Sequence, residues 1–323
     1  MSDGGEVGGM KDISPQLRKR TRPGYLILYV VLAFLLSWAI LIPEALGSAG
    51  LFDIRLPPIA LALAGFGPAL AAVITSWVET GPRGLRSLLR RLLIVRLSWR
   101  WYLIALLGPA LILLVGRGLE QVLGGGVTPV DQPPLQAEMG LSHVPVIVFL
   151  FGLVANNLII TLGEELGWRG FALPRLQFFW APLTSGIVLG FLWGVWHLPL
   201  VWTPATRSAV AELPLWAFII DITATSVLYV WIFNHTRGSV AIATLVHAAN
   251  NTASVFLMPA GAINSRQFFL TIGVRLTAVA LVLVLDGGAF AGEGRTTRES
   301  SARELSAILN MIQWQAKKAV ASR

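Results

Sequence analysis

Away from span ends, few ionisable side chains fall where the surrounding pattern calls for hydrocarbon, among them Glu164, Glu165, Arg169, His197, Asp221 and His247. On insertion scales a charged group at the centre of a membrane helix costs about 2.5–3.5 kcal/mol, so such residues are functional candidates. In GEELGWRG, Glu165 and Arg169 stand four residues apart with the acid first, the favoured order for a helical ion pair. Glu164 is turned by about 100° from its neighbour, onto the stripe of Asn157, Thr161 and Trp168. The spacing predicts that Arg169 neutralises and braces Glu165 while Glu164 stays unpaired, able to accept and return a proton.

Two further motifs add to this pair. WGVWHLP carries His197, and HAANN carries His247 with Asn251 one turn further along the same face. These residue types support two chemistries. In the first, Glu164 and His197 polarise a water that attacks a peptide carbonyl, and His247 and Asn251 donate to the oxyanion. In the second, His197, His247 and Glu164 hold Zn²⁺, which lowers the pKa of a bound water and leaves the second glutamate as base. The residues alone leave both open. H-E-x-x-H and G-x-S-x-G are absent, and adjacent carboxylates do not fit a two-aspartate intramembrane protease. With no cysteine in the chain, disulfides, thiolate metal sites and cysteine nucleophiles are excluded. Asp221 has no evident partner beyond Thr223 or Thr225 of its own segment. His143 and His235 fall in connections, where solvation is expected.

The elements that must hold these groups are read from composition. Of 323 residues, 55% are hydrophobic and 13% charged, about half the charge of a soluble domain. This is an all-α polytopic membrane bundle of about eight transmembrane helices. The spans run roughly 25–43, 57–78, 100–119, 144–166, 183–203, 214–233, 239–258 and 267–285. Spans four and five make a hairpin turning near Phe178 to Ala181, which places Glu164 and His197 at one height. The first run is followed by many others, so a cleaved signal peptide is not expected.

The net charge of +8 collects at span ends, in KDISPQLRKRTR and RGLRSLLRRLLIVRLSWR, as positive-inside anchoring requires and nucleic-acid binding does not. It puts both termini in the cytosol. The chain divides into a basic segment 1–24, a bundle 25–286 with its core at about 144–258, and a cytosolic tail 287–323. In the tail, Ser301 and Glu304 form a capping box ahead of an amphipathic helix, with Trp314, Lys317 and Lys318 suited to the membrane surface or a dimer contact.

GEELGWRG, WGVWHLP and HAANN together resemble the EExxxR, FxxxH and HxxxN motifs of the CPBP family, the CAAX protease and bacteriocin-processing (Abi) proteins. The likeness runs from about Val144 to Phe256. Trp193 stands where the family motif has Phe, an exchange of large aromatics that alters packing rather than chemistry. The resemblance implies an intramembrane endopeptidase related to CAAX prenyl protease 2. It implies Glu164 as the catalytic carboxylate, His197 as its partner, His247 and Asn251 as oxyanion or metal groups, and Glu165 with Arg169 as support. Zinc is the one cofactor it leaves open. The partners implied are a membrane-associated peptide or protein and the lipid bilayer, in the plasma membrane of a bacterium. A non-catalytic immunity or scaffold protein of the same fold is the alternative.

Overall fold

The computed structural model describes residues 23–53, 56–124, 136, 140–202, 214–257 and 265–290. The basic N-terminal segment and the tail helix lie outside these residues. In a bilayer a spanning segment must satisfy its own backbone hydrogen bonds, and every long apolar run here does so as a helix. In chain order these are α1 (Pro23–Ser48), α2 (Pro58–Ala64), α3 (Gly67–Thr80), α4 (Pro82–Arg90), α5 (Trp99–Val122), α6 (Val146–Gly167), α7 (Leu173–Phe179), α8 (Pro182–Trp196), α9 (Leu215–His235), α10 (Val240–Leu257) and α11 (Ser265–Leu285). A π-helical turn, Trp168–Ala172, joins α6 to α7. Among the described residues no strand occurs.

Among the described residues, seven helical stretches are long and apolar enough to cross a membrane, and the 15-residue α8 is a shorter apolar rod. Each expected span thus finds a helix, with three differences. The second is broken between α2 and α3. The fourth runs on through the π-helical turn as far as Phe179. The fifth ends at Trp196, and a 3₁₀ turn, Leu198–Trp202, takes up the chain after His197. The hairpin between the fourth and fifth turns at Phe179–Pro182, where expected.

Burial runs opposite to a soluble protein. Ile27, Val31 and Leu35 on α1, and Leu103, Leu107, Leu111 and Leu114 on α5, face outward, while Glu165 and Arg169 are fully enclosed. Without a hydrophobic drive between helices in lipid, close backbone contact has to supply the packing, and small residues allow it. A Cβ on Gly167 would come within 2.5 Å of the Pro68 backbone, so α6 rests directly on the start of α3. The carbonyl of Ala64, freed where α2 stops, accepts a 2.8 Å hydrogen bond from Ser37 Oγ of α1. This break seats the turn that follows the carboxylate pair. On α8, Gly186, Gly190 and Gly194 line the seam with α9, and a Cβ on Gly190 would lie 2.6 Å from the Thr223 Cα. That seam commits one face of α8 to α9 and turns Leu189, Trp193 and Trp196 into the core.

One end of the bundle gathers the connections. Arg175 of α7 pairs with Glu79 at the end of α3. Ser239 Oγ, at the α9–α10 turn, donates 2.7 Å to the Ile94 carbonyl in the arginine-rich link between α4 and α5. The π-helical turn, the α7–α8 hairpin and the entry to α10 are therefore tied together at this end. Glu164 lies eleven residues before Arg175, about 16 Å deeper at a rise of about 1.5 Å per residue. His247 lies eight residues beyond Ser239, about 12 Å deeper by the same measure.

Candidate active site

Two side chains organise the interior. The first is Glu165, 0% exposed, which α6 presents just before the π-helical turn. Its Oε1 accepts from Arg169 NH1 at 2.9 Å and lies 3.0 Å from Nδ1 of His247 on α10. The ion pair predicted from the i, i+4 spacing is present, and the same carboxylate also holds an imidazole. A carboxylate can only accept, so Nδ1 of His247 carries the proton and Nε2 is the acceptor of the neutral ring.

The second organiser is Trp193 of α8, and here the expectation from sequence needs correcting. Glu164 is not unpaired. Its Oε2 accepts a 2.8 Å hydrogen bond from the indole Nε1–H of Trp193. The exchange of Phe for Trp at this position therefore changes chemistry as well as packing, since a phenyl ring has no donor. The carbonyl of the same residue lies 2.7 Å from Nδ1 of His197, one turn on. A carbonyl is an acceptor, so His197 also places its proton on Nδ1 and leaves Nε2 as the acceptor of the neutral ring. The indole packs edge-on against both imidazoles, with centroids 5.1 Å from His247 and 5.5 Å from His197. The guanidinium of Arg169 lies 4.4 Å over the indole and 5.0 Å from the ring of Tyr229 on α9.

The polar stripe of α6 fixes its rotation against α10. Asn157 Nδ2 donates to Thr252 Oγ1 at 2.9 Å, and Thr161 Oγ1 reaches the carbonyls of Asn157 and Thr244. Glu164, Glu165, Arg169, His197 and His247 are thus brought around Trp193. Asn251 is a turn beyond His247, half-buried, and among the described residues its hydrogen bond is with Asn250, at 3.4 Å. It makes no hydrogen bond to Glu164 or His247 in this arrangement.

Two other polar residues have partners the sequence did not indicate. Asp221 pairs with Arg275 of α11, whose NH2 also lies 3.5 Å from Asn250 Oδ1. Its backbone carbonyl, rather than its carboxylate, accepts from Thr225. His235 is not in a connection but closes α9, where Nε2 meets Asp286 Oδ2 at 2.8 Å and Nδ1 lies 2.9 Å from the Trp231 carbonyl. His143 is exposed, as expected.

Among the described residues no group of three His, Asp or Glu side chains is disposed to hold a metal ion. As arranged, His197, His247 and Glu164 do not form a ready zinc set, since Glu164 is turned onto an indole donor.

Residues 145–253 match the family model described as type II CAAX prenyl endopeptidase Rce1-like. A curated relative, CAAX prenyl protease 2 of Methanococcus maripaludis, is 27% identical over 189 residues, covering 56% of this chain. The similarity extends over 64% of that relative's own length, somewhat less than two thirds. The matched segment contains Glu164, Glu165, Arg169, Trp193, His197, His247 and Asn251. Residues 145–253 of this integral membrane helix bundle are thus similar to the Rce1-like family of type II CAAX prenyl endopeptidases.

Proposed function

We propose that the chain is an intramembrane endopeptidase that hydrolyses a peptide bond of a membrane-associated protein or peptide. The observation that supports this best is that one residue, Trp193, bonds both Glu164 and His197, so a buried carboxylate and a partly buried imidazole lie against the same residue. In the proposed reaction a water lies between Glu164 and Nε2 of His197. Glu164 takes a proton from that water as its oxygen attacks the carbonyl carbon. The proton then passes to the amine nitrogen as the C–N bond breaks, and Glu164 is restored. His247, with Glu165 on its Nδ1 side, donates from Nε2 to the oxyanion when the ring is doubly protonated. Asn251 reaches the same oxygen only after leaving Asn250, a side-chain rotation that substrate entry has to cause. Arg169 keeps Glu165 in place.

The names of the family and of the relative suggest a prenylated C-terminal substrate, so a farnesylated CAAX peptide with an internal quencher is the first probe. Its unprenylated counterpart tests whether the lipid is read. Purified wild-type protein in lipid vesicles should cleave the probe, and Glu164→Ala should not. Cleavage at the wild-type rate by Glu164→Ala refutes the enzyme. If Glu164→Ala also retained a protective effect in cells, an immunity or scaffold role would take its place. The zinc alternative, with His197, His247 and Glu164 rearranged as ligands, predicts about one equivalent of metal per chain that is lost in His197→Ala and His247→Ala. Elemental analysis of protein purified without added metal tests it. The location proposed is the cytoplasmic membrane of a bacterium, with both termini cytosolic.

A further inference from the structure

We infer that Trp193 is a positioning residue for the general base: its indole N–H fixes Glu164 in the orientation from which it takes the proton of water. This rests on the proteolytic reading above.

The argument starts from what a carboxylate needs at this place. Glu164 is 5% exposed, so bulk water does not order it, and its chain-neighbour Glu165 takes up the guanidinium of Arg169 and the imidazole of His247. Trp193 Nε1–H is the donor the structure gives to Glu164. A hydrogen bond to one carboxylate oxygen restrains the side-chain rotamer and leaves the other oxygen for a second partner. The indole is itself held on several sides. Arg169 covers its face, His247 and His197 press their edges on it, and Tyr229 lies 6.1 Å away. A cation over an indole face draws electron density away from the nitrogen and makes the N–H a stronger donor. Through this stack the Glu165–Arg169 pair acts on Glu164 without touching it. The same residue offers its carbonyl to His197, so the base and its imidazole partner are placed by one backbone unit.

Other indoles here have other acceptors, and the carboxylate that Trp231 serves, Asp286, is part-exposed. Trp38 Nε1 caps the Trp196 carbonyl at 2.9 Å, and Trp168 and Trp196 stack edge to face at 6.2 Å. Trp193 is distinguished by its acceptor, a carboxylate inside the bundle.

The test removes the donor and keeps the ring. Trp193→Phe takes away N–H and bicycle together. Trp193→3-benzothienylalanine keeps the bicyclic shape and replaces N–H by sulfur. Both are reconstituted in vesicles and assayed on the quenched farnesylated peptide beside wild type and Glu164→Gln. Loss of one charge-assisted hydrogen bond to a base should lower kcat about 10- to 100-fold, with KM and melting temperature close to wild type. A second readout needs no turnover: the Trp193 indole ¹H–¹⁵N resonance, assigned by its absence in Trp193→Phe, should move upfield in Glu164→Ala. Wild-type kcat in the benzothienyl variant overturns the inference, as does a loss confined to KM. So does a fall in melting temperature matching the fall in rate, which marks a filler of the core. If Glu164→Gln itself cleaves at the wild-type rate, the proteolytic reading fails separately, whatever the indole does.

Discussion

Among the described residues stand two imidazole–carboxylate pairs, built alike and placed differently. His247 and Glu165 meet at 3.0 Å with side chains 5% and 0% exposed, and a guanidinium shares the carboxylate. His235 and Asp286 meet at 2.8 Å with side chains 29% and 38% exposed, beside Trp231, whose Nε1–H donates to the same Asp286 oxygen, and Trp101. Distance does not separate them. Burial does, because desolvated charges depend on each other for compensation and exposed ones fall back on water. The inner pair should therefore weigh on stability and, in the proposed reaction, on turnover, and the outer pair joins the ends of α9 and α11 at little energetic consequence.

Four experiments break or sharpen this contrast. The largest expected effect is from Glu165→Ala, which leaves Arg169 buried without its counter-charge and His247 without its anchor. Removing one partner of a buried pair costs about 3–5 kcal/mol, so thermal unfolding in detergent should show a marked loss and turnover should vanish. A melting temperature unchanged from wild type would mean that the bundle relaxes to admit water at Arg169. Next is His247→Ala, expected to lower kcat about 100-fold or more by removing the proposed oxyanion donor while altering stability far less. Steady-state kinetics on the same probe distinguish kcat from KM. Intermediate is Asp221→Asn, which deprives Arg275 of its charge partner between α9 and α11. It should cost about 1–3 kcal/mol with turnover nearly kept, read by chemical denaturation beside the peptide assay. The smallest is Asp286→Asn. It should change stability by at most about 1 kcal/mol and leave turnover unaltered, and added salt should shrink even that difference. A turnover loss in Asp286→Asn would show that the outer pair is coupled to the site.

What could be read from sequence followed from distance along one helix. The Glu165–Arg169 pair is an i, i+4 relation, and the α7–α8 turn is announced by its Pro and aromatics. Both need only the pitch of an isolated helix. The misses are relations between helices. Whether the indole at position 193 faces lipid or Glu164 depends on how α8 is rotated about its axis, and that rotation is set by the glycine seam with α9. Asp221 and Arg275 are 54 residues apart, and nothing in either local pattern names the other. Arg275 lies in a run that otherwise reads as hydrocarbon. His235 reads as part of a connection because apolar residues alone do not place the end of α9 to within a turn. Asn251 shares the face of His247 as helix pitch requires, and it accepts its hydrogen bond from its chain neighbour Asn250.

The stub length of α8 has a consequence for the reagent that any hydrolase must consume. A rod of 15 residues extends only about 22 Å, against a hydrocarbon slab of about 30 Å. Irregular backbone is tolerated at such depth only when protein or an aqueous inlet shelters it, and the turn after His197 is partly roofed by Trp38 from α1. The place where regular helix gives out thus falls beside the imidazole, which is where the proposed hydrolysis would call for its inlet.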